Sequence, residues 1–284
     1  MQRRQFLQGV AAASAALLLR PAFAVGRDTA VQLAALERSR GGRLGVAILD
    51  TASGQRAALH GNQRFLMCST YKLPLVASVL NRVDAGKEHL DRRIVFGRDV
   101  LLDWAPVTER HVGPPGMSVA ALCEAAITVS DNTAANLLLA SVGGPAAVTA
   151  YIRTLGDPVT RVDRNEPSVN RPDGDKDTTT PWAMLADLHK LLLRDALLPA
   201  SRTRLTDWLL ACRTGTDSLR AGLPRTWREG DKTGSNDAAN NDVAIAWPPR
   251  RKPLLVTAFY DNAALHVDAR KQVLAHVGRI VAAL

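Results

Sequence analysis

Apolar residues recur with two different periods along this chain, and the period changes twice. Residues 28–38 have the spacing of a helix, and two strand-like segments, 44–50 and 55–60, follow with a turn-forming Thr-Ala-Ser-Gly sequence between them. From residue 69 to about residue 210 the apolar positions return to helical spacing. Helices are predicted over 119–129, 132–140, 145–154, 181–194 and 201–213.

The C-terminal part of the chain switches back to strands. Three strands are predicted, over 227–233, 242–247 and 253–260, and an amphipathic helix is predicted over 267–284. Strands at both ends of the chain predict one antiparallel sheet flanked by terminal helices, with a helical block inserted. We therefore expect an α+β fold with two lobes and a cleft between them. The α/β lobe would comprise residues 25–63 and 214–284, and the helical lobe residues 64–213.

The composition is that of a globular protein, with 46% apolar and 22% charged residues. A net charge of +9 raises the question of a nucleic-acid partner, but the basic residues are scattered. Their densest clusters, Arg92-Arg93 and Arg250-Arg251-Lys252, contain no aromatic residues. We expect no nucleic-acid partner. We also expect no membrane partner, because no apolar run after residue 24 approaches the length of a membrane span.

The first 24 residues are predicted to be a removable export signal. Arg3 and Arg4 form a basic start, the apolar segment 10–19 is too short to span a bilayer, and small residues at positions 22 and 24 suit a signal peptidase. The Arg pair followed by Phe-Leu indicates the twin-arginine route, with an ordinary secretory leader as the alternative. Cleavage after Ala24 and a periplasmic location are expected in both cases.

Cysteine and histidine spacing predicts neither a disulfide scaffold nor a metal site. Cys68, Cys123 and Cys212 show no C-x-x-C spacing, and the six His residues form no H-x-H or H-E-x-x-H group. No metal and no other cofactor is therefore expected.

Four short polar motifs carry candidate chemistry, and the first is Ser69-Thr70-Tyr71-Lys72. On a helix, Ser69 and Lys72 share a face, so the amine can activate the hydroxyl as a nucleophile. A helix N-terminus at this point also favours developing negative charge. In isolation the same residues are compatible with a helix start that Ser69 caps.

The second motif, Ser130-Asp131-Asn132, lies at a break between two predicted helices. Its hydroxyl and amide can pass a proton and hold a substrate carbonyl. All three residue types are also good helix caps, so a purely structural role is the alternative.

The third motif lies in the segment 156–180, which is polar and rich in Asp, Pro and Asn. Loops of that length inside a compact domain are usually functional. Glu166 and Asn170, four residues apart, can hold one water between a carboxylate and an amide. A solvated loop acid is the alternative.

The fourth motif, Lys232-Thr233-Gly234, ends a predicted strand and is followed by Ser235. Gly allows a substrate to approach the backbone closely, and Lys and Thr can bind a carboxylate. A strand end followed by a turn is the alternative.

The four motifs stand in a fixed order, S-x-x-K, S-D-N, E-x-x-x-N and K-T-G, and three of them form the signature of serine acyl-transfer enzymes that react with β-lactams. The sequence resembles the class A serine β-lactamases over essentially its whole length after the leader. Further matching segments are 127–129, 132–137 and 177–181. The resemblance implies hydrolysis of β-lactam antibiotics and hence resistance to them.

The resemblance also implies roles for the catalytic residues. Ser69 would attack the lactam carbonyl and form an acyl-enzyme, with the backbone N–H groups of Ser69 and Ser235 as the oxyanion hole. Lys72 and Glu166 are alternative bases for this acylation. Ser130 would protonate the leaving lactam nitrogen.

Other implied roles concern the substrate and the water. Asn132 would bind the side-chain amide of the substrate, and Glu166 with Asn170 would hold the water that cleaves the ester. Trp104 lies where the family often has an aromatic residue at the cleft mouth. Binding of the substrate carboxylate would fall to Lys232, Thr233 and Ser235, beside Gly234.

The catalytic loop is expected near 161–178. By the same resemblance, Asn136 would brace this loop and Arg164 would pair with Asp177 across its neck. The segment between Asn170 and Asp177 is shorter than in most of the family, which would widen the cleft or loosen Glu166.

Several other positions depart from the family pattern. We expect Lys271 or Arg220 to replace the Arg that often helps to hold the substrate carboxylate. No disulfide is expected, because Val76 and Asn236 stand where some members carry the partners of Cys123 and Cys68.

Two rival functions use the same residues. A penicillin-binding D-Ala-D-Ala peptidase shares the Ser-Lys, Ser-x-Asn and Lys-Thr-Gly groups but lacks a deacylating Glu. A lactam sensor would be acylated and stay acylated, which requires the shortened loop to displace Glu166. The expected partner is a small β-lactam substrate, and a monomer is expected.

Overall fold

A five-stranded antiparallel sheet is the centre of the fold in the computed structural model, which describes residues 22–284. The spatial order of its strands is β2-β1-β9-β8-β7. The N-terminal hairpin therefore pairs with the last strand of the chain, Arg43 lying opposite Asp261 and Asp50 opposite Leu254. The strands are β1 (Arg43–Asp50), β2 (Arg56–Leu59), β7 (Arg228–Ser235), β8 (Ala239–Trp247) and β9 (Leu254–Asp261).

Side chains alternate across the sheet, so that each face of it covers a separate core. In β1, Val46 and Ile48 face a core shared with two terminal helices, whereas Ala47 and Leu49 face the helical block. The terminal helices are α1 (Ala22–Arg40) and α9 (Val267–Ala282). The helical block contains α2 (Lys72–Asp84), α3 (Val119–Thr128), α4 (Asn132–Val142), α5 (Pro145–Thr154), α6 (Pro181–Leu193) and α7 (Pro199–Leu210).

Short elements complete the block and connect it to the sheet. Two pairs of two-residue strands hold loops together, and the remaining elements are a one-turn helix and four 3₁₀ turns. The short strands are β3 (Phe65–Leu66), β4 (Arg93–Ile94), β5 (Met117–Ser118) and β6 (Thr178–Thr179), and the short helix is α8 (Leu219–Gly222). The 3₁₀ turns are Cys68–Tyr71, Arg98–Val100, Thr108–Arg110 and Ser168–Asn170.

The predicted α+β class, with one antiparallel sheet, terminal helices and an inserted helical block, is confirmed. The predicted lobe boundaries, 63/64 and 213/214, stay a prediction. Several ends were misplaced: α1 begins at Ala22, before the predicted residue 28, and α7 ends at Leu210 rather than at residue 213.

The largest error in the sheet concerns the start of β8, at Ala239 instead of the predicted residue 242. The missed residues include two buried Asn side chains that form tertiary hydrogen bonds. Asn240 Oδ1 accepts a hydrogen bond from Arg270, and Asn241 Nδ2 donates to the carbonyls of Leu66 and Met67. Polar residues at the start of a strand gave no apolar pattern from which to predict it.

The leader predicted for residues 1–24 lies outside the described residues, except that residues 22–24 belong to α1. Across residues 22–284, no single helix is both long and apolar enough to cross a membrane. Asn132–Val142 and Pro145–Thr154 satisfy the criteria of length and apolarity only as a pair, and they are bent by 72° relative to each other.

Candidate active site

Ser69 and Lys72 meet at the junction of the 3₁₀ turn Cys68–Tyr71 with α2. The turn runs into the helix without a break, so the two side chains share a face and Lys72 Nζ lies 3.0 Å from Ser69 Oγ. The helix start has no side-chain cap, so Ser69 is not a capping residue here. The spacing therefore brings a hydroxyl and an amine into hydrogen-bonding contact.

Lys72 is the centre of a buried polar network. Its Nζ donates to the backbone carbonyl of Ser130 at 2.8 Å, to Asn132 Oδ1 at 2.6 Å, and also to Ser130 Oγ at 3.2 Å. It forms an ion pair with Glu166 Oε1 at 3.1 Å. Burial lowers the pKa of Lys72 to about 8; the charge of Glu166 opposes this shift and the charge of Lys232 adds to it. The amine is therefore poised to exchange a proton near neutral pH.

In the Ser130-Asp131-Asn132 motif, Asp131 has a structural role and the other two residues contact Lys72. Asp131 caps α4, accepting from the backbone N–H of Ala134, and also takes three hydrogen bonds from residues 107–108. Ser130 has φ +60°, a left-handed conformation that is uncommon outside glycine. This turn directs Ser130 and Asn132 towards Lys72, so the capping alternative holds only for Asp131.

Glu166 and Asn170 lie side by side in the loop. Asn170 Nδ2 donates to Glu166 Oε2 at 2.6 Å, and both carboxylate oxygens are buried. Asn136 fixes the Glu166 backbone from α4, accepting from its N–H at 2.9 Å and donating to its carbonyl at 3.0 Å. Asn236 Nδ2 donates to the Asn170 carbonyl at 2.8 Å, which joins the loop to the β7–β8 turn. The loop therefore places Glu166 in contact with Lys72.

The neck of the loop is closed by one buried carboxylate. Asp177 Oδ2 accepts from Arg164 Nε at 2.5 Å, and Asp177 Oδ1 accepts from the backbone N–H groups of Asp163 and Arg164 at 2.7 and 3.0 Å. Asp177 is fully buried. The expected Arg164–Asp177 pair is therefore formed.

The end of β7 lies against the turn that carries Ser69. A Cβ added at Gly234 would lie 2.6 Å from the Met67 carbonyl oxygen and 2.9 Å from the backbone nitrogen of Ser69. Only glycine fits this approach, and it brings the backbone that leads into Ser235 next to the backbone of Ser69. The backbone N–H of Ser69 therefore lies beside the strand end that leads into Ser235, as an oxyanion hole made by these two residues requires.

Lys232 and Thr233 carry the β7 strand into the same network. Lys232 Nζ donates to Ser130 Oγ at 3.1 Å, so Ser130 lies between the two lysines. Burial lowers the pKa of Lys232, against the charges of nearby acids. The Thr233 hydroxyl lies 2.5 Å from that of Thr214, a residue that the sequence motifs do not mark.

Trp104 lies at the rim. Its side chain is 54% exposed, its Nε1 donates to the Val129 carbonyl at 2.9 Å, and its own carbonyl accepts from the backbone N–H of Asn132 at 2.8 Å. The indole is therefore held beside the Ser130–Asn132 segment while its surface faces solvent.

The two candidates for a substrate carboxylate ligand differ in their surroundings. Arg220 donates to Glu229, Asp231 and the Cys212 carbonyl, so its guanidinium is already engaged. Lys271 Nζ forms a longer ion pair, at 3.6 Å from the exposed carboxylate of Asp217. Of the two, Lys271 is the one with donors to spare.

The three cysteines are free, buried thiols. Burial raises the pKa of each of them, Cys212 to about 11, so none of them is a reactive thiolate near neutral pH. Within the described part of the chain, no group of three or more His, Cys, Asp or Glu residues could hold a metal ion.

Comparison with known proteins identifies the family to which this chain belongs. The model of the β-lactamase enzyme family matches residues 28–284, so the chain belongs to that family. "Beta-lactamase L2" of Stenotrophomonas maltophilia is 46% identical, with 99% of this chain and 98% of that protein covered. "Beta-lactamase CTX-M-8" of Citrobacter amalonaticus is 41% identical, with coverage of 98% and 97%.

Solved structures identify the class within the family. An ancestral class A β-lactamase superposes with a TM-score of 0.87 at 58% identity, covering 89% of this chain and 98% of its own. A class A β-lactamase from Rhodopseudomonas palustris, described as putative in its own report, superposes with a TM-score of 0.88 at 49% identity, covering 90% and 99%. This chain is therefore a class A member of the family, as the sequence motifs predicted.

Proposed function

We propose that this chain hydrolyses β-lactam antibiotics through an acyl-enzyme on Ser69 and thereby confers resistance to them. The observation that carries the proposal is the convergence of Ser69 and Glu166 on one amine. Lys72 Nζ lies 3.0 Å from Ser69 Oγ and 3.1 Å from Glu166 Oε1, so the nucleophile and the second base belong to a single network. Penicillins and cephalosporins are the proposed substrate class.

Acylation begins with attack of Ser69 Oγ on the lactam carbonyl carbon. The Ser69 proton passes to the Lys72–Glu166 pair, because Lys72 is hydrogen-bonded to Ser69 Oγ and Glu166 is paired with Lys72. Backbone N–H groups of Ser69 and Ser235 stabilise the negative oxygen of the tetrahedral intermediate. The C–N bond of the lactam then breaks, and Ser130, between Lys72 and Lys232, supplies the proton that the nitrogen takes up.

Substrate binding uses the groups around this centre. Lys232, Thr233 and Ser235 bind the carboxylate of the substrate next to Gly234, and Lys271 assists them from α9. Asn132 binds the side-chain amide, and Trp104 packs on the substrate at the cleft mouth. The two buried lysines give the cleft the positive charge that an anionic substrate requires.

Deacylation uses the loop. Glu166 Oε1 and Asn170 Oδ1 are buried and accept no hydrogen bond from the described residues, which leaves two acceptors for one water. This water attacks the ester carbonyl carbon, Glu166 takes its proton, and Ser69 leaves as the alcohol with a proton returned. The sum of both stages is the addition of one water across the lactam bond.

Glu166→Gln tests this assignment. The parent protein is expected to consume many equivalents of penicillin with no lasting adduct in its intact mass. Glu166→Gln is expected to hold one penicillin per chain, with kcat lower by at least about 10²-fold because the general base is lost. Glu124→Gln, the same substitution at an exposed residue of α3, is the matched control and should behave like the parent.

Two outcomes would contradict the proposal. If the parent chain consumed only one penicillin and kept it, the lactam-sensor function would replace hydrolysis. If the parent chain released D-Ala from a peptide ending in D-Ala-D-Ala faster than it opened penicillin, the peptidase function would replace hydrolysis of β-lactams. A Glu166→Gln variant that turned over like the parent would refute the role of Glu166 alone.

The proposal extends to location and assembly. The leader-like residues 1–24 support export to the periplasm with cleavage after Ala24, by the twin-arginine route. The scattered basic residues support action on a small molecule without a nucleic-acid or membrane partner, as a monomer. Mass analysis of the periplasmic fraction and light scattering of the purified chain would test these statements directly.

A further inference from the structure

Tyr71 is a buried phenol that the mechanism above does not use. It is the last residue of the 3₁₀ turn Cys68–Tyr71, next to Lys72 and two residues after Ser69. Its side chain is fully buried, and its Oη has no hydrogen-bond partner among the residues that the structure describes. A buried hydroxyl without a partner costs free energy, and buried Tyr hydroxyls usually have one.

The Glu166 carboxylate faces this phenol. Among the charged side chains described, Glu166 raises the pKa of Tyr71 most, both through its charge and as a hydrogen-bond acceptor. The charge of Asp177 raises this pKa less. Among the described residues, Glu166 Oε1 in turn accepts no hydrogen bond and has an ion pair with Lys72 alone. A donor that lacks an acceptor and an acceptor that lacks a donor are therefore neighbours.

The protonation states suit this pairing. Burial raises the pKa of Tyr71 well above its usual value, and the negative charge of Glu166 raises it further. The phenol therefore keeps its proton and stays a donor at any pH at which an enzyme of this kind works. The other groups that face Glu166 are the amines of Lys72 and Lys232, the Asn170 amide and the Cys68 thiol.

We propose that the Tyr71 hydroxyl donates a hydrogen bond to the Glu166 carboxylate during turnover and so holds the deacylating base charged and oriented. Tyr71 is a positioning residue, because it acts on the reaction through Glu166. The inference rests on the role proposed above for Glu166. Asn170 contacts one oxygen of the Glu166 carboxylate and Lys72 contacts the other. Tyr71 adds a third contact. Because the phenol is neutral, this contact does not depend on whether Lys72 carries its proton.

Tyr71→Phe removes one oxygen and leaves the ring that fills the core. With penicillin in stopped flow, kcat is expected to fall about tenfold through slower deacylation, and the acyl-enzyme to accumulate, while the rate of acylation stays within about twofold. KM is expected to fall by the same factor as kcat, so that kcat/KM is unchanged, because slower deacylation at an unchanged rate of acylation lowers both.

The chain provides a matched control in Tyr151. This buried phenol in α5 also lacks a hydrogen-bond partner within residues 22–284, but its charged neighbours are Asp187 and Asp84 rather than Glu166. Tyr151→Phe should leave kcat, KM and acyl-enzyme accumulation unchanged. If Tyr71→Phe behaves like Tyr151→Phe in all three readouts, the proposal is overturned.

Two further measurements keep the test decisive. If Tyr71→Phe fails to fold, the parent chain labelled with 3-fluorotyrosine is used: Glu166→Gln should shift the fluorine resonance of Tyr71 and leave that of Tyr151 in place, and an unmoved Tyr71 resonance refutes the contact. If Glu166→Gln traps no acyl-enzyme, the role of Glu166 fails instead. A trapping Glu166→Gln with a normal Tyr71→Phe refutes only the role of Tyr71.

Discussion

Removing Arg164 should loosen the catalytic loop through the carboxylate that it leaves behind. In the intact neck, Arg164 Nε satisfies Asp177 Oδ2 at 2.5 Å, and a second guanidinium nitrogen donates to the Arg171 carbonyl at 2.6 Å. The Arg164 side chain is 20% exposed and that of Asp177 is not exposed at all. Arg164→Ala therefore leaves a buried charge whose Oδ2 has no donor.

The loss of stability in Arg164→Ala depends on the hydrogen bonds that Asp177 retains. Breaking a buried ion pair by removing one partner costs about 3–5 kcal/mol. Here the Oδ1 atom retains two backbone N–H donors, so the loss lies closer to that of one hydrogen bond to a charged group, about 1.5–3 kcal/mol. We expect Arg164→Ala to lower the free energy of unfolding by about 2–4 kcal/mol, or the Tm by roughly 5–12 °C for a domain of this size.

Arg161→Ala is the matched control in the same loop. Arg161 pairs with Asp163 at 2.6 Å, but its side chain is 41% exposed, and an exposed ion pair contributes little to stability. Thermal unfolding by circular dichroism compares the two variants. Adding Asp177→Asn to Arg164→Ala should restore part of the loss, because a neutral amide replaces the unpaired charge at almost the same shape.

Two results would refute this reasoning. The first is a Tm for Arg164→Ala within 1 °C of that for Arg161→Ala, which would mean that the neck contributes no more than a surface pair. The second is a double variant that is less stable than Arg164→Ala, which would mean that the lost stability does not arise from the stranded Asp177 charge.

Two further predictions concern other buried or half-buried charges. Burial and the charge of Asp157 raise the pKa of Asp187 to about 9, so the native state keeps a proton that the unfolded chain loses near pH 4, and stability falls as pH rises between these values. The Tm advantage of Asp187→Asn over the parent should therefore grow from pH 5 to pH 8, and a constant difference would contradict this. Lys271→Ala should raise the KM for penicillin about threefold to tenfold with kcat little changed, as expected for lost binding of the substrate carboxylate; an unchanged KM would exclude Lys271 from that role.

Much of the fold could be predicted from apolar spacing because most elements face a core on one side. The terminal helix α9 and the strands β1 and β9 follow their patterns to within a residue or two. The start of β8 could not be predicted, because Asn240 and Asn241 are buried in polar contacts with Arg270 and the chain before Ser69. The spacing of apolar residues predicts which positions are buried in an apolar core, but it does not predict polar residues that are buried through hydrogen bonds.

The candidate site was predictable to the level of its residues but not of its contacts. The four motifs mark Lys72 and Glu166, yet nothing in their spacing shows that the two form an ion pair at 3.1 Å. Arg220 was a reasonable candidate for the substrate carboxylate until its donors proved to be taken by Glu229 and Asp231. Such ion pairs join side chains that are close in space and distant in sequence, so motif spacing does not predict them.

The pairing of β1 with β9 has a consequence for how the molecule is made. Arg43 and Asp261 are 218 positions apart and bonded to each other, so the sheet closes only after its last strand has left the ribosome. Until then β1 and β8 each present an unpaired edge, and non-local pairing of this kind is slow to form. Lys232 lies on β7, which pairs with β8, and β8 pairs in turn with β9. The side of the cleft that carries Lys232 therefore joins the complete sheet only after the last strand is made, long after Ser69 has been synthesised.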